Sequence, residues 1–314
     1  MQDIHQKLHK WYNVNGRKEL PWRNSEDPYH IYLSEIMLQQ TQVKTVLERY
    51  YFPFLKKFPT LKSLANASLD EVLKSWEGLG YYTRARNLHK CAQLTAPKLP
   101  ESYESLLALP GIGKNTASAI CAFAYKQKRA VMEANVRRIL CRLYALDDPS
   151  SDLLIEYAEA LLDEENPYDY NQAMMDIGSM VCTVKNPQCE ICPFLSMCRA
   201  YELACYDFPV KKKKSVPLKH ENIVVELCKG RIKLIQREGR FLHGLWGFSS
   251  SQNPRGTKIG EVRHQYTHFK LEVSVYLKSV SAHKEGEAFS KDEIETLALS
   301  TVDKKILNLL TSHL

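Results

Sequence analysis

Four cysteines, Cys182, Cys189, Cys192 and Cys198, fall within seventeen consecutive positions, separated by six, two and five residues. Thiolates this close in sequence converge on one centre without closing a long loop. They therefore dictate the path of the segment that carries them. Four soft sulfur donors with no histidine among them suit an iron–sulfur cluster, with zinc as the alternative. The other five cysteines (Cys91, Cys121, Cys141, Cys205, Cys228) are scattered, and the odd total of nine suits a reducing compartment better than a disulfide framework.

The chain has 314 residues, enough for two domains, and a net charge of +7, a mild excess compatible with nucleic acid as partner. Met1 to Lys10 is polar and does not read as a signal peptide. No apolar run is long enough to span a membrane. Residues 1–207 read as mostly helical, with Leu106, Leu107 and Leu109, and Val136, Ile139, Leu140 and Leu143, at helical spacing. Residues 208–218 hold Pro209, Lys211 to Lys214 and Pro217, and read as a solvated basic linker. Beyond it the period changes to two. Phe269, Leu271, Val273, Val275 and Leu277 alternate with polar residues, and Ile223–Leu227 and Ile232–Ile235 flank a Lys229-Gly230 turn. With a closing helix at Val302, Ile306, Leu309 and Leu310, residues 219–314 form a smaller α+β domain. The fold class is therefore multidomain: a mostly α N-terminal domain carrying the cysteine loop, followed by an α+β domain.

Chemistry is concentrated at three places in the helical part. Leu109-Pro110-Gly111-Ile112-Gly113-Lys114-Asn115-Thr116-Ala117 joins two helical segments across about 103–124, and Gly111 and Gly113 permit a tight turn and close approach to a ligand. The helix that follows offers free N–H groups and a dipole to phosphate. This resembles a helix-hairpin-helix motif. Ser34 to Val43 reads as a helix in which Gln40 interrupts an apolar stripe of Ile36, Val43 and Leu47, and Glu35 lies in apolar surroundings that raise a carboxyl pKa. Glu133 precedes the helix containing Arg137 and Leu140, where a helix N-terminus favours the anion. A proton-holding acid beside an anion is what glycosidic cleavage through an oxocarbenium-like state requires.

The cysteine spacing resembles that of the endonuclease III/MutY superfamily of DNA glycosylases, which holds a [4Fe-4S] cluster this way. Leu20-Pro21-Trp22, Ser34 to Val43, Gly78 to Tyr82, Arg84 to Leu88 and Asn171 to Asp176 resemble the MutY family of adenine DNA glycosylases. The resemblance implies that Glu35 protonates adenine, that Leu38 and Gln40 enter the DNA stack, and that Trp22 lines the base pocket. It assigns Gly111, Gly113 and Lys114 to phosphate contact, and Asn135 and Asn115 to support of the site. Asn115 stands where bifunctional relatives carry a catalytic lysine, so Schiff-base strand cleavage is not expected. Glu133 stands for the family's usual aspartate and Ala134 for the following glycine.

Residues 219–314 resemble the Nudix-like C-terminal domain of that family through Gly244-Leu245-Trp246-Gly247 and Arg263 to Phe269. There a loop, here Tyr266-Thr267-His268, probes 8-oxoguanine. The implied partner is double-stranded DNA holding adenine opposite 8-oxoguanine or guanine. The implied setting is a monomeric, cytoplasmic, nucleoid-associated bacterial enzyme. Two alternatives stand beside it: a glycosylase of other base specificity, and a lesion-binding protein without catalysis, motivated by Glu133.

Overall fold

A computed structural model describes residues 2–210, 215–239, 241–282 and 287–311. The lysine run Lys211 to Lys214 lies outside the described residues. Two compact units emerge, residues 1–40 with 95–213 and residues 41–94 with 214–314. Among the described residues no helix is long and apolar enough to cross a membrane.

The first unit starts with α1 (Gln2–Asn15) and α2 (Pro28–Leu38). Helix α2 begins where Asp27 caps the Tyr29 N–H and Pro28 presets the first helical φ. It ends at Leu38, because Gln40 takes a left-handed φ of 56°. The continuous Ser34 to Val43 helix expected from sequence is thus broken, and Ile36 and Val43 sit on different helices. The segment 41–94 contributes α3 (Val43–Arg49), α4 (Tyr51–Lys57), α5 (Leu61–Asn66), α6 (Leu69–Ser75) and α7 (Thr83–Thr95) to the second unit. Capping boxes at Thr60/Ser63 and Ser68/Glu71 start α5 and α6.

The first unit resumes with α8 (Tyr103–Leu107), α9 (Lys114–Ala124), α10 (Ala134–Leu143), α11 (Ser151–Leu161), α12 (Pro167–Met180) and the short α13 (Arg199–Glu202). Its main core joins Leu8 and Tyr12 of α1, Val136 and Leu140 of α10, Leu154 of α11 and Tyr170 and Ile177 of α12. Phe194 of the cysteine loop is buried in the same core. A smaller cluster packs Ile31 of α2 against Ala119, Ala122 and Phe123 of α9.

The sheet of the second unit comprises β1 (Leu218–Cys228), β2 (Arg231–Gln236), β3 (Trp246–Gly247), β4 (Thr257–Gln265), β5 (Lys270–Ser279) and β6 (Glu287–Phe289). The strand order is β3-β2-β1-β5-β4, with β6 on β2. β1 and β5 are parallel, and the other pairs are antiparallel. Lys229 and Gly230 both have positive φ, 47° and 77°, the geometry of the tight hairpin turn read from sequence. Helices α14 (Lys291–Thr296) and α15 (Thr301–Thr311) complete the unit, and α15 buries Val302, Ile306 and Leu310 against the sheet, as its sequence pattern indicates.

Polar bonds tie segment 41–94 to the α14–α15 segment. Glu77 accepts the Leu299 N–H at 3.0 Å and pairs with Lys304 at 2.6 Å, and the Tyr82 hydroxyl donates to the Leu299 carbonyl at 3.2 Å. Asp303, wholly buried, takes both guanidinium nitrogens of Arg237 at 2.9 and 2.8 Å and the Phe248 N–H at 3.1 Å. Removing one partner of such a pair strands the other charge. Asp303→Ala is expected to lose about 3–5 kcal/mol of stability, read from the urea midpoint. A loss below about 0.5 kcal/mol, ordinary for a surface change, contradicts this account.

Candidate active site

Helix α2 carries Glu35, and the extended residue before α10 is Glu133, its N-cap, with φ −92° and ψ −180°. Both belong to the first unit. Burial and the nearby Glu133 charge push the Glu35 pKa up to about 7, against a smaller opposing pull from Arg23. Burial also raises Glu133, opposed by the Asn135 and Val136 N–H groups, the Asn135 side chain and Arg138. Sequence reasoning anticipated the direction at Glu35. It expected Glu133 to be favoured as the anion outright; the helix N-terminus does act that way, but desolvation outweighs it. The Glu133 Oε1 atom is buried with no hydrogen-bond partner.

Neighbouring groups hold this pair in place. Asn135 accepts from Arg138 at 2.8 Å, and the Arg138 Nε donates to the Cys182 carbonyl at 2.8 Å. A Cβ on Gly178 would stand 2.4 Å from the Asn135 Cβ, so only glycine lets α12 approach α10 here. Trp22, buried at 6% exposure, and Arg23 form a single 3-10 turn, and Arg23 donates twice to Asp176 at 2.7 and 2.9 Å. Tyr168 donates to the Arg23 carbonyl at 2.8 Å and lies close enough to Glu35 for the two charges to interact. Beside it Gln172 is buried, with Oε1 unpartnered.

Arg23, Tyr168, Gln172, Asp176 and Arg138 were given no role from sequence, although Gln172 and Asp176 lie in the Asn171 to Asp176 stretch. One signal was available: Asp176 sits in the apolar run Met174-Met175-Asp176-Ile177, where a carboxylate demands a buried cation.

Leu38 and Gln40 lie at the end of α2, Leu38 half-buried and Gln40 exposed. The Gln39 amide donates to the Thr116 hydroxyl at 3.3 Å, tying the end of α2 to the first turn of α9. Gly111 has φ 78°, as a tight turn requires; Gly113 is extended, and a Cβ there would meet nothing within 4 Å. Gly113 thus serves by leaving the α9 N-terminus open rather than by bending the chain. Lys114 and Asn115 are exposed on the first turn, Lys114 pairing with Asp152 at 3.3 Å. Tyr266, Thr267 and His268 belong to the second unit, in the turn between β4 and β5 closed by the Tyr266 N–H to Phe269 carbonyl bond at 2.9 Å. Thr267 and His268 are exposed at its tip.

The four cysteines wall one cavity with Arg142, Leu195 and Tyr206. Four thiols lining one cavity are the donor set an iron–sulfur cluster takes. Arg142, buried at 3% exposure, donates to the Cys182 sulfur at 3.3 Å, the Thr183 carbonyl at 2.7 Å and the Tyr206 carbonyl at 3.0 Å. Its charge offsets that of thiolates. Cys182, Cys189, Cys192 and Cys198 would hold a [4Fe-4S] cluster that pins the loop and leaves Lys185 exposed.

Residues 33–164 match the model of the helix-hairpin-helix-GPD superfamily of base excision DNA repair proteins, and residues 182–198 match the iron–sulfur binding domain of endonuclease III. The chain is 34% identical over 312 residues to the adenine DNA glycosylase of Buchnera aphidicola subsp. Schizaphis graminum, covering 90% of each. It is 32% identical to that of Homo sapiens, covering 95% of this chain and 72% of that protein. It is 42% identical to that of Buchnera aphidicola subsp. Baizongia pistaciae, covering 63% of this chain and 58% of that one. A thermostable thymine-DNA glycosylase structure superposes at a TM-score of 0.59 with 27% identity, over 64% of this chain and 98% of that chain. A non-covalent endonuclease III–DNA complex, at 0.53 and 21%, shares the fold over 65% of this chain and 97% of that chain.

Two outcomes are expected. The purified protein carries about four iron and four sulfide per chain with broad visible absorption; a colourless zinc protein overturns this. Native Glu35 binds its proton up to about pH 7 against 4.5 for an ordinary glutamate, so native stability falls as pH rises across that window and is flat above it. Glu35→Gln removes that slope, gaining stability on the order of 1–3 kcal/mol over native between pH 4.5 and 8, measured by denaturant titration; a pH-independent difference refutes the raised pKa. By sequence, the chain belongs to the adenine DNA glycosylase family of helix-hairpin-helix base excision repair proteins.

Proposed function

We propose that this chain is a monofunctional glycosylase that hydrolyses the N-glycosidic bond of adenine mispaired with 8-oxoguanine or guanine in double-stranded DNA. The supporting observation is the coupled carboxyl pair: Glu35 holds its proton to about pH 7 beside Glu133 at the N-terminus of α10. Adenine must leave the stack to be reached, at a cost of a few kcal/mol. Protonated Glu35 donates to the extruded base and makes it a better leaving group. Ionised Glu133 stabilises the cationic sugar and helps place the attacking water. Asn135, held by Arg138, orients the start of α10, and Asn115 supports the site from the hairpin. Because Asn115 is an amide, the reaction ends at base release rather than strand cleavage.

Trp22 borders the base pocket, and Leu38 and Gln40 fill the stack as the base leaves. Gly111, Gly113 and Lys114 bind phosphate at the open N-terminus of α9. Tyr266, Thr267 and His268 probe the base opposite adenine. In this reading residues 1–207 are the catalytic domain, 208–218 a linker and 219–314 the lesion reader. The protein works as a monomer in the cytoplasm, on the nucleoid.

A second reading, a lesion-binding protein without catalysis, is favoured by Glu133 in the place of the family's aspartate and by its unpartnered Oε1. Single-turnover base release on an adenine:8-oxoguanine duplex separates the two. The native chain is expected to release adenine, with the rate falling about tenfold per pH unit above about pH 7 as Glu35 loses its proton. Glu35→Gln is expected to lose at least about 100-fold. An inert native chain awakened by Glu133→Asp makes the binder reading right, and thymine release without adenine release overturns the specificity.

A further inference from the structure

Helix α1 has two faces, and the core of the first unit uses one of them. Leu8 and Tyr12 are buried in that core. Lys7, Lys10, Trp11 and Val14 make a second stripe at the spacing i, i+3, i+4 and i+7. This stripe is one side of an open groove of about 540 Å³. Trp11 is half-buried and rests against the core, whereas Val14 is 81% exposed.

The cysteine loop is the other side of the groove. Cys189 and Cys192 both wall the enclosed cavity, and the two residues between them are left outside: Glu190 and Ile191 are exposed, Ile191 at 55%. Phe194 is buried in the core that α1 shares, and its neighbours Pro193 and Leu195 line the groove. Cys192 and Leu195 line the groove and the cavity alike, so the two spaces share a wall. The loop that encloses the cavity therefore also builds the outer surface. Single exposed apolar side chains are ordinary, but a concavity to which two elements bring Trp11, Val14, Ile191, Pro193 and Leu195 marks an interaction surface.

The rim restricts the occupant. Lys7 is bonded to Asp3 one turn earlier at 2.6 Å, while exposed Lys10 has no ion-pair partner among the described residues. Glu190, on the loop, has none either. Nucleic acid draws its affinity from cations set along a phosphate backbone, and an apolar floor bordered by a carboxylate does not provide them. Two lysines beside an apolar floor complement a segment that carries carboxylates next to apolar side chains. The volume admits a few side chains, and the spacing along α1 is the one at which helices meet an amphipathic partner.

We propose that the groove between α1 and the cysteine loop docks a short acidic, apolar segment of a partner protein. Its apolar side chains sit over Trp11, Val14 and Ile191, and its carboxylate meets Lys10. The site is separate from Glu35 and Glu133 and takes no part in base release.

Panning a phage-displayed library of short random peptides on the full chain tests it. The enriched pool is expected to combine large apolar residues with Asp or Glu. A labelled consensus peptide, followed by fluorescence anisotropy, is expected to bind saturably. Lys10→Glu and Val14→Glu, both exposed helix positions, are each expected to weaken it about tenfold or more, with the far-ultraviolet spectrum and the affinity for duplex DNA unchanged. The same peptide with its acids replaced by lysine is expected to bind the Lys10→Glu chain better than the native one. No enriched peptide, an enriched pool of basic peptides, or a consensus peptide indifferent to both substitutions overturns the proposal. So does a native chain that sediments as a dimer and is dissociated by Val14→Glu, which makes the groove a self-interface. Loss of duplex affinity in Lys10→Glu makes it a DNA surface and overturns the proposal as well.

Discussion

A fully buried carboxylate, Asp176, organises the first unit. It accepts from the Arg17 backbone N–H at 2.9 Å, from Arg17 Nε and Nη2 at 2.8 and 2.6 Å, and from Arg23 at 2.7 and 2.9 Å. Burial alone would raise its pKa, but the two arginines hold it below the usual range. Arg23, in turn, is held above its ordinary pKa although burial works against its charge. Neither charge is tenable in that interior without the other. Because Arg23 is covalently next to Trp22 and electrostatically next to Glu35, the ion cluster holds the Trp22–Arg23 turn and acts on the Glu35 carboxyl.

The same interior makes the two glutamates unequal partners. Glu35 has a single opposing cation, Arg23, and a like charge, Glu133, that adds to the effect of burial. Glu133 has the α10 N-terminus and Arg138 on its side. Burial pushes both toward the neutral form, and each is opposed by different groups. Arg138 and Arg142 lie on α10, one turn apart, and both bond the backbone that begins the cysteine loop. Helix α10 thus carries the Glu133 cap at one end and anchors the cluster loop along its side.

Much of this was legible in the sequence because the signals were local. Cysteine spacing located the loop, the Gly111–Gly113 turn located the hairpin, and alternation in 269–277 located β5. The missing parts were non-local. Nothing near Gln40 in sequence announces a left-handed residue ending α2, since glutamine is not a favoured residue there. The bonds of Glu77 to Leu299 and Lys304 join positions more than two hundred residues apart, and no periodicity records them. The pairing of Asp176 with Arg17 and Arg23 was hidden for the same reason, although the aspartate itself was visible as an anomaly in an apolar helix. The sign of the Glu133 shift was missed because sequence shows a helix terminus but not how deeply it is buried.

The departures from the family pattern at 133 and 134 are easier to accommodate than the sequence suggests. Ala134 is the first residue of α10 and therefore helical, a conformation in which alanine outperforms glycine. No left-handed turn follows Glu133, so a glycine there has no backbone role. The extra methylene of Glu133 places its carboxyl at a half-buried cap position. The cost falls on the carboxylate oxygen left without a partner. An unpaired buried acceptor is unfavourable in the resting protein. In the proposed reaction, a cation developing opposite that oxygen would offset this cost.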